Sequence, residues 1–190
     1  MDALKQRILK DGKVIGSNIL KVDSFLNHCI DVSLSLDMGK EFRARFANCT
    51  VTKILTIEAS GIGLACCTAQ FFNCNVVFAK KSPTCNCTDD VYVSPCHSFT
   101  HNVDNMVRVA KVYLSPEDKV LIVDDFLANG EATRALMDIV KQAGATLVGV
   151  GIAIEKGFQG GGDKLRASGV KVESLAIIDE MSEQGIRFRN

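Results

Sequence analysis

Two adjacent carboxylates, Asp124 and Asp125, are the side chains in this sequence best suited to chemistry. They follow the apolar run Val120-Leu121-Ile122-Val123, which predicts a strand buried on both faces, as inside a parallel sheet. Open α/β sheets bind their ligands in the crevice beyond the carboxyl ends of such strands. Because carboxylates there can accept hydrogen bonds from vicinal hydroxyls, the pair indicates a site for a sugar.

The segment after the acids predicts a phosphate site. Residues 128–133 supply small side chains and one glycine, and a helical pattern follows over 131–143. First-turn amides of a helix lack intrahelical partners, and the helix dipole favours negative charge there. Neither a P-loop nor a GxGxxG fingerprint is present. Two acids before a monophosphate cradle suit a ribose 5-phosphate, whereas a plain turn whose acids cap the helix is the alternative.

A second strand-to-helix turn repeats this arrangement. Residues 53–57 predict a strand, Glu58-Ala59-Ser60-Gly61-Ile62-Gly63 a small-residue turn, and residues 64–72 a helix. The same physics makes that turn an anion site. Two anion sites imply a substrate with phosphates at both ends, although the turn alone has the simpler interpretation of a connection.

Together these residues resemble the phosphoribosyl diphosphate (PRPP) signature of type I purine phosphoribosyltransferases. The run Asp124-Asp-Phe-Leu-Ala-Asn-Gly130 is narrower and is similar to the branch of that family that uses xanthine. The likeness covers nearly the whole chain, from Leu20-Lys-Val-Asp-Ser-Phe-Leu-Asn27-His28 to Ile154-Glu155-Lys156. It implies an α/β, type I phosphoribosyltransferase fold, in which helices flank a central parallel sheet that carries a small hood and an antiparallel flap.

The resemblance also implies a role for each part of the site. It makes Asp124 and Asp125 the catalytic acids, places the 5-phosphate of PRPP at Ala128, Asn129, Gly130, Glu131 and Ala132, places pyrophosphate at Glu58, Ala59, Ser60 and Gly61, and places the base at Leu20, Asn27 and Lys156. The family's pyrophosphate loop often contains an unusual cis peptide, and Phe158 would stack on the base. Mg²⁺ is the implied cofactor, held mainly by the substrate with no direct protein ligand. A homodimer is the implied assembly.

The residues alone leave simpler interpretations open for the base contacts. Leu20 is then a core residue, Asn27 a turn or cap, and Lys156 a surface cation in an ion pair. A lysine has three donors and no acceptor, however, which suits a base that presents carbonyl oxygens. His28, between Asn and Cys, is interpreted as structural.

Two parts of the chain depart from the family pattern. Glu131 stands where the family form has Gln, and a carboxylate there repels a dianionic phosphate. Either the Glu131 side chain points outward while its backbone N–H still binds the phosphate, or the affinity for PRPP is reduced. Residues 83–87 of the predicted loop at 82–90 also differ. Lys80 and Lys81 precede that loop, either to neutralise pyrophosphate or simply as solvated surface lysines.

The length of 190 residues predicts one phosphoribosyltransferase domain over 1–190, with the hood formed by about 14–30 and 155–190. Alternation over 91–98 and 106–114 predicts the antiparallel flap. The remaining predicted elements are helices at 2–11, 31–46 and 159–168, and strands at 18–23, 75–79, 147–154 and 170–178, of which 75–79 is expected to be buried.

Composition bounds partners and location. Lys and Arg number 22 against 22 Asp and Glu, so no global basic field favours nucleic acid or a membrane surface. The first residues contain no apolar signal region, and we expect a cytoplasmic protein. Eight cysteines without a CxxC pair are expected to be reduced and structural.

Two other functions fit the same motifs. One is a transferase of this fold that prefers guanine or hypoxanthine. The other is a PRPP-sensing regulator without the chemistry, although such proteins usually add a nucleic-acid-binding module, for which this chain has neither extra length nor a basic face.

Overall fold

The computed structural model of the chain describes residues 1–82, 90–98 and 103–189. The predicted loop contacts of residues 83–87, with Cys85 and Cys87, lie outside these ranges. In chain order the elements are α1 (Asp2–Asp11), β1 (Lys13–Ile15), β2 (Ile19–Lys21), a π-helical turn (Asp23–Asn27), α2 (Val32–Arg45), β3 (Lys53–Ile57), α3 (Gly61–Phe72), β4 (Asn75–Ala79), β5 (Val91–Ser98), β6 (Val103–Ala110), a 3-10 turn (Lys111–Tyr113), β7 (Lys119–Leu127), α4 (Glu131–Gln142), β8 (Thr146–Lys156), a 3-10 turn (Gly157–Gln159), α5 (Gly161–Ala167), β9 (Val172–Ser182) and β10 (Gly185–Phe188).

A six-stranded sheet in the order β10-β9-β8-β7-β3-β4 forms the centre of the fold. β4, β3, β7, β8 and β9 are mutually parallel, and β10 pairs antiparallel with β9. The predicted α/β class with a central parallel sheet is confirmed, with one antiparallel strand added at the edge. Within the described ranges, no helix is long and apolar enough to cross a membrane.

The sheet separates two apolar cores, as its alternating side chains require. Leu121 and Val123 of β7 join the core that includes residues of α1, α2 and α3. Val120 and Ile122 join the core that includes α4 and the β5–β6 hairpin. The continuous apolar run at 120–123 therefore has the cause that the sequence indicated, which is burial on both faces.

Two predicted strand properties are wrong in detail. β7 does not stop at the acids but continues through them to Leu127, because β8 keeps pairing with it as far as Leu127 with Glu155. β4 is not a buried strand, because it forms the edge of the sheet and its first four residues are half-buried or exposed.

The predicted antiparallel pair forms as β5 and β6, which lie outside the main sheet. β6 ends at Ala110, earlier than predicted, since the chain turns into the 3-10 segment Lys111–Tyr113. A bridge between Lys80 and Arg108 joins this hairpin to the exit of β4. The flap is thus attached at the β4 edge of the sheet, close to the turn that follows β3.

A buried ion pair fixes the end of β8. Glu155 is fully buried and accepts two hydrogen bonds from Arg166, at 2.9 and 2.6 Å, and one from the Ser174 hydroxyl. A Cβ on Gly162 would lie 2.1 Å from Glu155 Oε1, so glycine is needed where α5 passes this carboxylate. The network joins β8, α5 and β9 directly beside Lys156.

We expect Arg166→Met to lower the free energy of unfolding by about 3 kcal/mol, because it leaves the Glu155 charge buried without a partner. Urea denaturation measures the change. Arg187→Met is the matched control, since Arg187 pairs with Glu180 on the surface, with side chains 60% and 72% exposed. That variant should change stability by less than about 0.5 kcal/mol, and equal losses in both variants would contradict the role of Glu155.

Candidate active site

The acid pair lies in the part of β7 that no longer pairs with β3. β3 and β7 pair only as far as Leu55 with Ile122, so Asp124 and Asp125 lie beyond the paired segment. Both are buried, with 4% and 6% of their surface exposed. The Asp125 N–H donates to Asp124 Oδ1 at 3.1 Å, and the Phe126 N–H donates to Asp125 Oδ1 at 3.0 Å.

The turn after β3 packs directly against the first acid. A Cβ on Gly61 would lie 2.5 Å from Asp124 Oδ1 and 2.2 Å from Thr56 Oγ1, so the start of α3 requires glycine here. Thr56 is fully buried, and its hydroxyl has no hydrogen-bond partner within the described part of the chain. The structure thereby brings the predicted pyrophosphate loop and the acid pair together.

The rest of that loop has the features that the resemblance implied. The peptide bond between Glu58 and Ala59 is cis. The Glu58 carboxylate accepts a hydrogen bond of 2.6 Å from the Lys81 N–H, which ties the loop to the exit of β4. Ser60 precedes α3 and makes no side-chain cap, so the first-turn amides of that helix are not capped by its hydroxyl.

Burial raises the pKa of Asp124 well above its usual range, and the neighbouring Asp125 carboxylate raises it further. The charge of Lys81 acts in the opposite direction. Asp124 is therefore an acid that gains a proton easily in the empty protein, and ionisation becomes more favourable when positive charge develops next to it.

The segment predicted to bind the 5-phosphate follows β7 as a half-exposed turn. Gly130 has φ 88° and precedes α4, a conformation that favours glycine. A Cβ on Gly161 would lie 2.2 Å from the Ala128 carbonyl oxygen, so the start of α5 packs directly against this turn. Glu131 is not isolated at the helix N-terminus, because its carboxylate pairs with Arg134.

A cavity of about 530 Å³ opens between the π-helical turn and the pyrophosphate loop. Asp23, Asn27, His28, Ala59 and Ser60 line it. The buried Asn27 Oδ1 has no hydrogen-bond partner among the described residues. The structure therefore brings Asn27 next to the predicted pyrophosphate loop with an acceptor available for a ligand.

Lys156 and Leu20 occupy different environments. Lys156 Nζ donates to the Asn18 carbonyl at 2.7 Å, lies 5.6 Å from the centre of the Phe126 ring, and has its pKa lowered by burial. Leu20 is 6% exposed and belongs to the apolar core, as the residue pattern alone indicated. A contact between Leu20 and a base remains a prediction. Phe158, predicted to stack on the base, is 38% exposed.

Solved structures with the same fold identify the class. The chain matches an adenine phosphoribosyltransferase from Trypanosoma brucei with a TM-score of 0.76 and 19% identity over 92% of this chain and 78% of that one. An enzyme of the same name from Giardia lamblia gives 0.73 and 22% over 88% and 93%. The fold is that of a type I phosphoribosyltransferase.

Relatives by sequence define the family. No family model matches the chain. The xanthine phosphoribosyltransferase of Ruminiclostridium cellulolyticum is 58% identical over 188 residues, 99% of each chain. That of Clostridium novyi is 56% identical over 190 residues, 100% of each. The chain belongs to the xanthine phosphoribosyltransferase family.

Several residues of the site were not singled out from the sequence. The Thr56 hydroxyl and the contact of Gly61 with Asp124 depend on the packing of β3 and the start of α3 against β7, which is distant in sequence. Arg134 had a local signal, because Glu131 and Arg134 are three residues apart on one helix, a spacing at which opposite charges meet.

We expect Asp124→Asn to stabilise the unliganded protein at pH 8 while it lowers turnover, because a neutral amide avoids the cost of burying the carboxylate charge. Because the folded-state pKa of Asp124 lies above its ordinary value of 3.8, the native protein loses stability as pH rises through that raised pKa, and the variant does not. Thermal unfolding between pH 4 and 8 measures a difference that should shrink toward pH 4.

Asp118→Asn is the control with the opposite sign. Burial raises the pKa of Asp118, but hydrogen bonds from Ser115 and Thr52 outweigh it, so the pKa is lowered. This variant should lose stability at pH 8. A loss in both variants would mean that the Asp124 carboxylate stabilises the empty site.

Proposed function

We propose that this chain transfers the 5-phosphoribosyl group of PRPP to N9 of xanthine, giving xanthosine 5′-monophosphate and pyrophosphate in purine salvage. The observation that carries the proposal is the contact of the Gly61 turn with the Asp124 carboxyl, because it brings the turn that we propose for pyrophosphate next to the acid pair. The names of the full-length relatives support the choice of base.

The reaction requires few chemical groups from the protein. N9 of the base attacks C1′ as the bond from C1′ to the pyrophosphate oxygen breaks. Pyrophosphate leaves with the electron pair, and the imidazole ring of the base loses its proton to the leaving group or to solvent. Asp124 and Asp125 accept hydrogen bonds from the ribose hydroxyls and favour the positive charge that develops at C1′. Catalysis then consists of positioning and electrostatics, with no covalent intermediate on the protein.

The two turns hold the ends of PRPP in this proposal. Residues 128–132 present first-turn amides of α4 to the 5-phosphate, and residues 58–61 present those of α3 to the pyrophosphate. Two observations support this division: the turn at residues 128–132 is half-exposed, and the turn at residues 58–61 lies against Asp124. The ribose would then bridge the two turns across the acid pair.

The base would enter the cavity beside the π-helical turn. Asn27 offers its unpaired Oδ1 to a ring N–H, and Lys156 donates to a carbonyl oxygen with the N–H groups that the Asn18 contact leaves over.

We further propose that residues 14–30 and 155–190 form the hood of a single domain. The Asn18 carbonyl accepting from Lys156 supports the meeting of these segments.

Type I phosphoribosyltransferases generally use Mg²⁺ with PRPP. In the described ranges no three His, Cys, Asp or Glu side chains form a metal cluster, and Asp124 and Asp125 are the buried carboxylates of the candidate site. Hard carboxylate oxygens beside substrate phosphates and hydroxyls suit Mg²⁺. We propose that the ion is held mainly by PRPP and neutralises the leaving pyrophosphate.

We also propose a cytoplasmic homodimer. Cys29, Cys49, Cys66, Cys67, Cys74 and Cys96 are unpaired thiols, which suits a reducing compartment.

Exposed apolar side chains of Phe78, Val112 and Tyr113 border a groove of about 570 Å³ at the β4 edge, a surface suited to a second copy. Light scattering on the purified chain measures the assembly.

The choice of base is tested by pyrophosphate release with PRPP and Mg²⁺ against xanthine, guanine, hypoxanthine, adenine and orotate in parallel. We expect xanthine to give the highest kcat/KM. Guanine or hypoxanthine ahead of xanthine would keep the enzyme and overturn its specificity. No turnover with any base would favour a PRPP-sensing regulator.

Lys156→Ala should raise the KM for xanthine by about tenfold, the cost of losing a hydrogen bond from a charged donor, and leave the KM for PRPP within about twofold. Steady-state kinetics with each substrate varied in turn measures both values. Lys164→Ala is the control, because Lys164 is exposed on α5 in the same segment. Equal rises for both substrates would contradict a contact between Lys156 and the base.

A further inference from the structure

Arg134 folds back over the turn that precedes its own helix. Its Nη2 donates to the Asn129 carbonyl at 2.9 Å and to the Glu131 carboxylate. Its Nη1 lies 3.1 Å from the position that a Cβ on Gly130 would take. One guanidinium therefore contacts the turn on both sides of Gly130.

These contacts address an electrostatic problem of the proposed 5-phosphate site. The helix N-terminus offers N–H groups to an anion, but the turn also carries a carboxylate, at Glu131, and a carbonyl oxygen, at Asn129. Both repel a dianionic phosphate at short range. Arg134 binds both oxygens, which reduces their repulsion of a phosphate that binds at the N–H groups.

Burial and exposure argue against a role in stability alone. The side chains of Arg134 and Glu131 are 42% and 33% exposed, and exposed ion pairs three residues apart on a helix contribute little to folding. The other hydrogen bond of the guanidinium is to the Asn129 carbonyl in the turn and not to a core residue. Its effect should therefore appear in anion binding.

We propose that Arg134 is the positioning residue that lets this chain bind the 5-phosphate of PRPP next to Glu131, by neutralising that carboxylate and holding the Asn129 carbonyl away from the phosphate. The inference rests on the proposed function, which assigns residues 128–132 to the 5-phosphate. Glu131 and Arg134 then act as one unit, so that losing the cation alone is worse than losing both charges.

The test separates the two ends of PRPP. Ribose 5-phosphate and inorganic pyrophosphate are titrated calorimetrically into the native protein, Arg134→Gln, Glu131→Gln and the double variant. Arg134→Gln should weaken ribose 5-phosphate about tenfold and leave pyrophosphate within about twofold. Glu131→Gln should tighten ribose 5-phosphate about threefold, and the double variant should return to within about threefold of the native value, a coupling that a double-mutant cycle isolates.

Lys141→Gln is the matched control, since it removes one positive charge from the other end of α4, where Lys141 is exposed. It should leave both dissociation constants unchanged. A normal affinity in Arg134→Gln, or a double variant as weak as Arg134→Gln, would overturn the inference.

Ala132→Asp distinguishes failure of this inference from failure of the proposed site. It adds a carboxylate to the turn and should weaken ribose 5-phosphate. If it does so while Arg134→Gln has no effect, only the role of Arg134 is wrong. If neither variant affects ribose 5-phosphate, residues 128–132 do not bind the 5-phosphate, and the proposed division of PRPP fails.

Discussion

The packing of the Gly61 turn against the Asp124 carboxyl is the contact on which the site depends. It removes water from one acid and leaves the Thr56 hydroxyl without a partner in the described structure. Burying polar groups in this way costs free energy unless a ligand satisfies them. The two apolar cores on either side of the sheet offset that cost, so the stability of the fold supports a site that is unfavourable when empty.

The base side and the phosphate side are mechanically connected through α5. Its first residue, Gly161, lies against the Ala128 carbonyl, and its second, Gly162, lies against Glu155. Glu155 precedes Lys156 in β8 and is held by Arg166. A shift of α5 would therefore displace both the turn proposed for the 5-phosphate and the lysine proposed for the base.

The sequence predicted those features that depend on local pattern. Apolar runs revealed β3, β7 and β8, and the small-residue pattern revealed the two turns that lie next to the acid pair; anion binding at those turns stays a prediction. Pattern could not show that β7 continues to Leu127, because that depends on pairing with β8, nor that β4 is an edge, because strand order is a long-range property. β10 was not predicted, since it gains its partner only by folding back on β9. The contact between Asp124 in β7 and Gly61 at the start of α3 joins residues more than 60 positions apart and follows from the same strand order.

If Asn27 and Lys156 contact the base as proposed, recognition of the base would follow from which of their groups are left unpaired. Asn27 presents a buried acceptor, and Lys156 presents donors only. A 6-oxopurine carries a ring N–H beside a carbonyl oxygen, so it offers one partner to each residue. Adenine carries an amino group and a bare ring nitrogen at the same two positions, which would set donor against donor and acceptor against acceptor. Because an unpaired buried group costs more than a good pair gains, this mismatch would disfavour adenine at the proposed site.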